Sequence, residues 1–349
     1  MFSILRPYIF SLDPEVANDL AIKSLKFNFI PESFFKVENE DILETNFFGK
    51  KLKNPIGLAA GFDKSAEVYN SLYKFGFGFI EVGTITPKRQ LGNSKPRIFR
   101  LEKDNALINR LGFNNDGSEI VKKRIEEDVP NGLLGINIGP NKDTSNMTND
   151  FIECAKTFFP LGDYITINIS SPNTEGLRDF HNKEHLQKLL SNINLVRETS
   201  NFNKSFLLKV SPDLDDQSID NIVQLSLENN IDGLILTNTT DRNRENLLDE
   251  KKNEKGGLSG KPIQALSTSY IKKFYKKLNG KIPIIGVGGI DSGKSAFEKI
   301  SAGASALQLY TAMIYKGPIV VKKIKEELIT LLKKEGFKNV EECVGSNLN

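Results

Sequence analysis

At 349 residues, 39% hydrophobic and 26% charged, the chain has room for one large barrel with an appendage or for two modest domains, and either buries a sizeable core. Its 47 Lys+Arg against 44 Asp+Glu leave a formal charge of +3 with no dense basic run, so nucleic acid is not an expected partner. Cys154 and Cys343 are the only cysteines and lack C-x-x-C spacing, which excludes an iron–sulfur cluster or structural zinc within the chain, points to a reducing compartment, and leaves no metal site expected; His181 and His185 are the only imidazoles.

The first ten residues, MFSILRPYIF, are rich in large apolar side chains but broken by Arg6 and Pro7, with no small-residue cleavage site, so a cleaved signal peptide is not expected. No stretch reaches the roughly 18 uninterrupted apolar residues that a membrane-spanning helix needs. Asp13 followed by Pro14 reads as an N-cap and first helical residue, and Val16, Ala17, Leu20, Ala21 and Leu25 recur at helical spacing. Residues 1–40 are therefore expected to form an amphipathic helical pair, either a lid packed on a core or a device lying in a lipid interface. Residues 36–46 are polar and acidic and suggest a linker. A hairpin is expected around Phe48-Gly49-Lys50.

From there β-rich segments alternate with helical ones: NPIGLAAG, GFIEVGTIT, LLGINIG, YITINIS, FLLKVSP, DGLILTNT, PIIGVGG and ALQLY. Eight such units over residues 41–349 fit an α/β fold of the (β/α)8 TIM-barrel type better than a doubly wound sheet. Alternate residues of a strand face opposite ways. Ile136 and Ile138 oppose Asn137; Ile165, Ile167 and Ile169 oppose Thr166 and Asn168; Phe206, Leu208 and Val210 oppose Lys209. Polar groups on buried strands are costly unless they serve something, so these point into the upper barrel toward a ligand.

Active sites of such barrels lie at the carboxyl ends of the strands, with phosphate beside the last two loops, here Gly286 to Asp291 and Tyr310-Thr311. Glycines let backbone approach an anion, and the helix after Asp291 is expected to offer free amide donors. Residues 288–295 also match the G-x-x-x-x-G-K-[ST] pattern of a nucleotide-binding P-loop. That match falls in the seventh strand unit, with no apolar strand ending in a magnesium-binding aspartate, and reads as accidental. Neither G-x-G-x-x-G after the first strand nor G-x-S-x-G is present.

Asn168-Ile-Ser-Ser171-Pro-Asn173-Thr174 runs a strand straight into hydroxyls and amides. With AAGFDK (59–64), EVGTITP, INRLGFNN (108–115), GINIGPNKD, TNTT (237–240), GGLSG, PIIGVGGI and Tyr310-Thr311, it resembles the quinone-dependent dihydroorotate dehydrogenases across nearly the whole chain. The resemblance implies an oxidoreductase acting on a CH–CH bond, which oxidises dihydroorotate to orotate in pyrimidine synthesis. Hydride passes from C6 to FMN, Ser171 takes the C5 proton, and a membrane quinone is the final acceptor.

The same resemblance places the orotate ring among Lys64, Asn109, Arg110, Leu111, Gly112, Phe113, Asn168, Asn173, Asn238 and Thr239. It places FMN against Ala60, Gly61, Phe62, Asp63, Lys64, Thr84, Asn137, Asn168, Lys209, Thr237, Gly260, Gly289, Tyr310 and Thr311. Lys209 would stabilise negative charge near N1 and O2 of the reduced flavin, and Thr174 and the neighbourhood of Phe113 would serve as the proton outlet. Gly176 is a candidate hinge of a closing loop, and the helical pair an entrance for quinone. A monomer peripheral to the cytoplasmic face of a bacterial inner membrane, or to the mitochondrial inner membrane, is implied. Ala66 stands where that family has glycine and Asn18 where histidine is common. A soluble relative using fumarate or NAD would lack the apolar amino-terminal helices and carry cysteine at position 171. A flavin-binding module without catalysis would hold FMN yet leave it oxidised.

Overall fold

The computed structural model describes residues 2–200 and 202–348. Two helices come first, α1 (Phe2–Ser11) and α2 (Pro14–Lys26). The corner between them is capped as the Asp-Pro pair predicts: Asp13 Oδ1 accepts from the amides of Glu15 and Val16 at 2.9 and 3.2 Å. Arg97 then pins α2 to the body, its Nε and Nη2 donating to the Glu15 carboxylate at 3.1 and 2.7 Å.

Residues 36–46 are more than a linker. A single 3-10 turn, Glu40–Leu43, buries Leu43 completely, and Glu40 pairs with the buried Lys325 at 2.8 Å. Glu40 thereby ties the segment expected to be a linker to the carboxyl-terminal part of the chain. The expected hairpin follows as β1 (Thr45–Phe47) and β2 (Lys50–Leu52), antiparallel, with Phe48 and Gly49 at positive φ in the turn.

In chain order come β3 (Ile56–Leu58), α3 (Tyr69–Tyr73), β4 (Phe79–Ile85), β5 (Ile98–Leu101), β6 (Ala106–Asn109), α4 (Ser118–Glu127), β7 (Leu133–Ile138), α5 (Met147–Phe158) and β8 (Tyr164–Asn168). After these come α6 (Lys183–Glu198), β9 (Ser205–Val210), α7 (Asp216–Glu228), β10 (Gly233–Leu236), β11 (Gly257–Gly260), α8 (Gln264–Leu278), β12 (Ile284–Val287), α9 (Gly293–Ser301), β13 (Ala306–Leu309), α10 (Thr311–Lys316) and α11 (Ile319–Lys334). Strands β3, β4, β7, β8, β9, β10, β12 and β13 pair in parallel in that order, and β13 pairs with β3 to close the barrel. Each falls on one of the eight segments read from the sequence, β9 beginning one residue earlier at Ser205.

Strand alternation sorts the core into two parts. Ile136, Ile138, Ile165, Ile167, Phe206, Leu208 and Val210 pack outward against the helices. Phe79, Leu133, Tyr164, Leu207, Ile235 and Ile285 fill the lower interior, which the hairpin's Phe47, Phe48 and Leu52 close from below. Gly57 and Gly135 make room for them, since a Cβ at either would overlap the ring of Phe79 or Tyr164. The barrel is thus a plugged cup whose open end lies at the strands' carboxyl ends.

A second sheet lies outside the repeating pattern. Strands β5, β6 and β11 form an antiparallel sheet in the order β11-β6-β5, with its own small core of Phe99, Leu101, Ile108, Leu247 and Leu258. Its strands have four residues each and join positions nearly 150 residues apart, so no local periodicity announces it.

If the hairpin is the plug, Phe47→Ala is expected to cost about 3 kcal/mol, the usual range for emptying an aromatic core site. Urea unfolding measures it, and a loss below about 1 kcal/mol would show that the barrel floor closes without the hairpin.

Candidate active site at the barrel mouth

The polar part of the barrel interior is built on Glu81, fully buried on β4. Its Oε2 accepts from the Gln308 amide at 2.8 Å, the Tyr164 hydroxyl at 3.0 Å and the Thr166 hydroxyl at 3.2 Å. Its Oε1 accepts from Asn137 Nδ2 at 2.8 Å. Asn137 passes the order upward: its Oδ1 accepts from Thr84 Oγ1 at 2.6 Å and from Asn168 Nδ2 at 3.2 Å. Asn168 Oδ1 in turn accepts from the Ser170 hydroxyl at 2.8 Å, and Ser170 Oγ accepts from Asn238 Nδ2 at 2.8 Å. One connected chain of hydrogen bonds therefore fixes side chains from β4, β7 and β8 and from the loops after β8 and β10.

Above this network the mouth opens into a space of about 1370 Å³, the part open to solvent included. Ser171, Asn168, Asn173, Asn109, Leu111, Gly112, Phe113, Asn238, Thr239 and Lys64 line it. So do Ala60, Gly61, Thr84, Lys209, Thr237, Gly260, Gly289, Tyr310 and Thr311. Ser171 is 6% exposed, and its Oγ accepts from the Asn173 amide at 3.2 Å. Asn173 Nδ2 donates to the Asn109 carbonyl at 3.0 Å, which ties the loop after β8 to the three-stranded sheet.

Two lysines face this space. Burial pulls the Lys64 ammonium down to about 8, against the pull of Glu15 and Asp63. Burial also lowers Lys209, while the negative charge of Glu81 beneath it acts in the opposite sense. Each is a cation short of hydration and receptive to an anionic partner.

Four of the residues assigned from the resemblance do not line the mouth. Asn137 sits one layer below it, holding Thr84 and Asn168. Arg110 turns away, donating to Glu254 at 2.9 Å with its guanidinium 4.6 Å over the Phe99 ring. Phe62 and Asp63 line a separate cleft of about 920 Å³ beneath α2. The Asp63 carboxylate accepts from the amides of Glu67 and Val68 at 2.8 Å, so it shapes the loop that carries Lys64. Sequence reasoning missed Glu81, Ser170, Gln308, Ser259 and Lys261; the last two line the mouth beside Thr311, and Ser259 Oγ lies 2.9 Å from Thr311 Oγ1.

The glycine turn Gly288-Gly289 lines the mouth at positive φ of 117° and 73°. The helix after it offers less than the sequence suggested. At the start of α9, Ser292 and Ser295 cap each other, and the Gly293 amide donates to Glu327 at 2.6 Å. These partners occupy the amides of Ser292, Gly293 and Ser295. The same geometry removes the P-loop reading: Ser295 Oγ is spent on the amides of Asp291 and Ser292 at 3.0 Å, and the Lys294 side chain is 83% exposed beside Glu298.

The residues at the mouth suit a flat, phosphate-tailed heterocycle. Thr237 Oγ1 is buried there without a hydrogen-bond partner in the protein. A Cβ on Gly61 would project into the open space, nearest Tyr310 at 3.9 Å. No group of His, Cys, Asp and Glu among the described residues could hold a metal.

The family model described as dihydroorotate dehydrogenase matches residues 42–332. The mitochondrial quinone-dependent dihydroorotate dehydrogenase of Mus musculus is 45% identical, with 96% of this chain and 87% of that protein covered. The quinone-dependent dihydroorotate dehydrogenase of Christiangramia forsetii is 46% identical, covering 94% and 98%. Among solved structures, the ligand-free enzyme of Eimeria tenella superposes with a TM-score of 0.92 at 42% identity, covering 97% of this chain and 100% of that one.

If Glu81 is the hub, Glu81→Ala strands several buried donors and is expected to cost about 3 kcal/mol or more. Chemical denaturation decides it, and an unchanged midpoint would show that the network above Glu81 stands without it.

Proposed function

Because the chain belongs to the dihydroorotate dehydrogenase family, it is an oxidoreductase that takes dihydroorotate to orotate with a quinone as acceptor, and we propose that the reaction runs at this mouth through FMN, in de novo pyrimidine synthesis. The observation that carries the reading is that Ser171, Lys64, Lys209 and the amides of Asn109, Asn168, Asn173 and Asn238 line one space. FMN would supply there an acceptor for the hydride leaving C6 of the substrate, one able to release the electron pair to a quinone.

Ser171 Oγ takes the proton from C5. A serine hydroxyl is a weak base, so its surroundings must raise its reach. Burial excludes water from it, and the Asn173 amide already donates to its oxygen, which favours the negative charge that gathers as its own proton leaves. Thr174, nine-tenths buried two residues beyond Pro172, and the neighbourhood of Phe113 are assigned as the outlet for that proton. Asn109, Asn173, Asn238 and Thr239, with Leu111 to Phe113, hold the substrate ring, since amides donate and accept along a uracil-like edge. Lys64 meets its carboxylate. Lys209, with Thr84, Asn168 and Thr237, would hold a polar part of the flavin, and Ala60, Gly61, Gly260, Gly289, Tyr310 and Thr311 would hold the rest of it. Asn137 and Asp63 act through the neighbours they hold.

We assign residues 1–40 to the lipid and quinone end and residues 41–349 to the flavin barrel. The support is an apolar face on the helical pair left uncovered by the described residues: Ile4 and Tyr8 are 71% and 73% exposed and Val16 and Leu20 about half, continued by Phe27 and Phe29. The inner side of α1 meets the mouth where the Phe10 and Tyr315 rings cross at 5.4 Å. No helix among the described residues is long and apolar enough to cross a membrane. We propose a monomer seated peripherally on a quinone-bearing bilayer, the cytoplasmic face of a bacterial inner membrane or the mitochondrial inner membrane; the exposed apolar face is what supports the seating.

Ser171→Ala is expected to keep the yellow cofactor and slow flavin reduction by dihydroorotate about a hundredfold or more in stopped flow, the scale of a lost general base. Reduction near the parent rate would remove Ser171 from its role. The pH dependence has a definite sign. A carboxylate favours charged Lys64, which titrates at about 8 in the free protein, so orotate should bind most tightly below that pH and progressively less tightly above it. Lys64→Met should flatten that slope in a spectral titration; a slope that survives belongs to another group.

A further inference from the structure

Lys299 lies on α9, outside the mouth, and is completely buried. Its ammonium donates to Ser267 Oγ at 2.9 Å, Thr268 Oγ1 at 3.0 Å and the Gln264 carbonyl at 3.3 Å, all neutral groups of the first turn of α8. The adjacent Glu298 is engaged elsewhere, its Oε2 accepting from Gln264 Nε2 at 2.8 Å and its Oε1 lying 3.9 Å from Lys294 Nζ. Desolvation of this ammonium is costly, and burial pulls it down to about 7.

The three acceptors place the charge behind the glycine turn. Ser267 Oγ also donates to the carbonyl of Val287, the residue that leads into that turn. Gly288 and Gly289 pack so closely on Ser267 and Gln264 that a Cβ on Gly288 would lie 3.1 Å from Ser267 Cβ, and one on Gly289 2.6 Å from Gln264 Cα. The turn that faces the mouth therefore rests on the same residues that hold the lysine. A neutral side chain could bridge α8 and α9 with less desolvation. A cation is favoured there when an anion sits on the other side of the turn. The start of α9 has few amides left for that attraction, because those of Ser292, Gly293 and Ser295 are already occupied.

We infer that Lys299 is a positioning and specificity residue for a phosphate monoester: from behind Gly288-Gly289 it braces the turn and adds the positive potential that makes this mouth prefer a phosphorylated flavin to an unphosphorylated one. The inference rests on the flavin reading above. It concerns affinity alone, since Lys299 touches neither substrate nor reacting atoms.

The test uses the full chain stripped of flavin and measures quenching of flavin fluorescence by FMN and by riboflavin, for the unaltered protein, Lys299→Met and Lys299→Gln. The glutamine keeps a donor beside Ser267 while removing the charge. Both variants are expected to bind FMN about tenfold more weakly and riboflavin within about twofold of the unaltered chain. A merely structural brace predicts equal losses for the two flavins, and that result, or an unchanged preference for FMN, overturns the role of Lys299. If the unaltered chain binds neither flavin, the flavin reading itself falls. Riboflavin binding by the variants reports that they have folded.

Discussion

A carboxylate without water in the middle of a protein is tolerable only when donors surround it, and Glu81 has four, from three different strands. Removing any donor leaves a lone pair unmet, while removing the acid leaves the donors unmet. The parts are therefore held mutually. Because Asn137 is one of the four, the order set by Glu81 travels up to Thr84 and Asn168 and from there to Ser170 and Asn238. Side chains that would otherwise sample several rotamers present one arrangement at the mouth.

The barrel divides its interior by height. At the floor, aromatic and aliphatic side chains pack with the hairpin and exclude water. At mid-height the Glu81 network converts that dry plug into a polar platform. At the top, Lys64 and Lys209 stand as poorly hydrated cations, and the antiparallel sheet and the loop carrying Ser171 wall the space from the side. This order suits hydride transfer: the cations gain most from charge that appears in a ligand, and the enclosing walls keep water from competing. The helical pair stands to one side of this stack, joined to it through the Glu15–Arg97 contact, and offers its apolar face outward.

Most of the architecture was legible because it repeats. Eight short strands with helices between them announce a parallel barrel, and alternation along β7, β8 and β9 turns Asn137, Asn168 and Lys209 inward. The same rule, applied fully, separates neighbours that motif resemblance had grouped: Asn109 and Arg110 are adjacent on an extended chain, so they face opposite ways, and only the first meets the mouth. Glu81 carried the same signal, an acid of inward parity between Phe79 and Gly83, and was overlooked inside a longer motif. What could not be read locally depends on distant partners. Strand β11 finds β6 across nearly 150 residues, Glu327 reaches back to the start of α9, and Lys325 takes up Glu40.

The account stands or falls on whether the platform and its lysines grip a flavin beside a proton-accepting serine. An anaerobic spectral titration of the purified full chain tests this most directly. The protein should show an oxidised-flavin spectrum, bleach on addition of an equivalent of dihydroorotate, and recover its colour on addition of a quinone. A colourless protein that takes up no FMN, or a yellow one that dihydroorotate leaves oxidised, would contradict it.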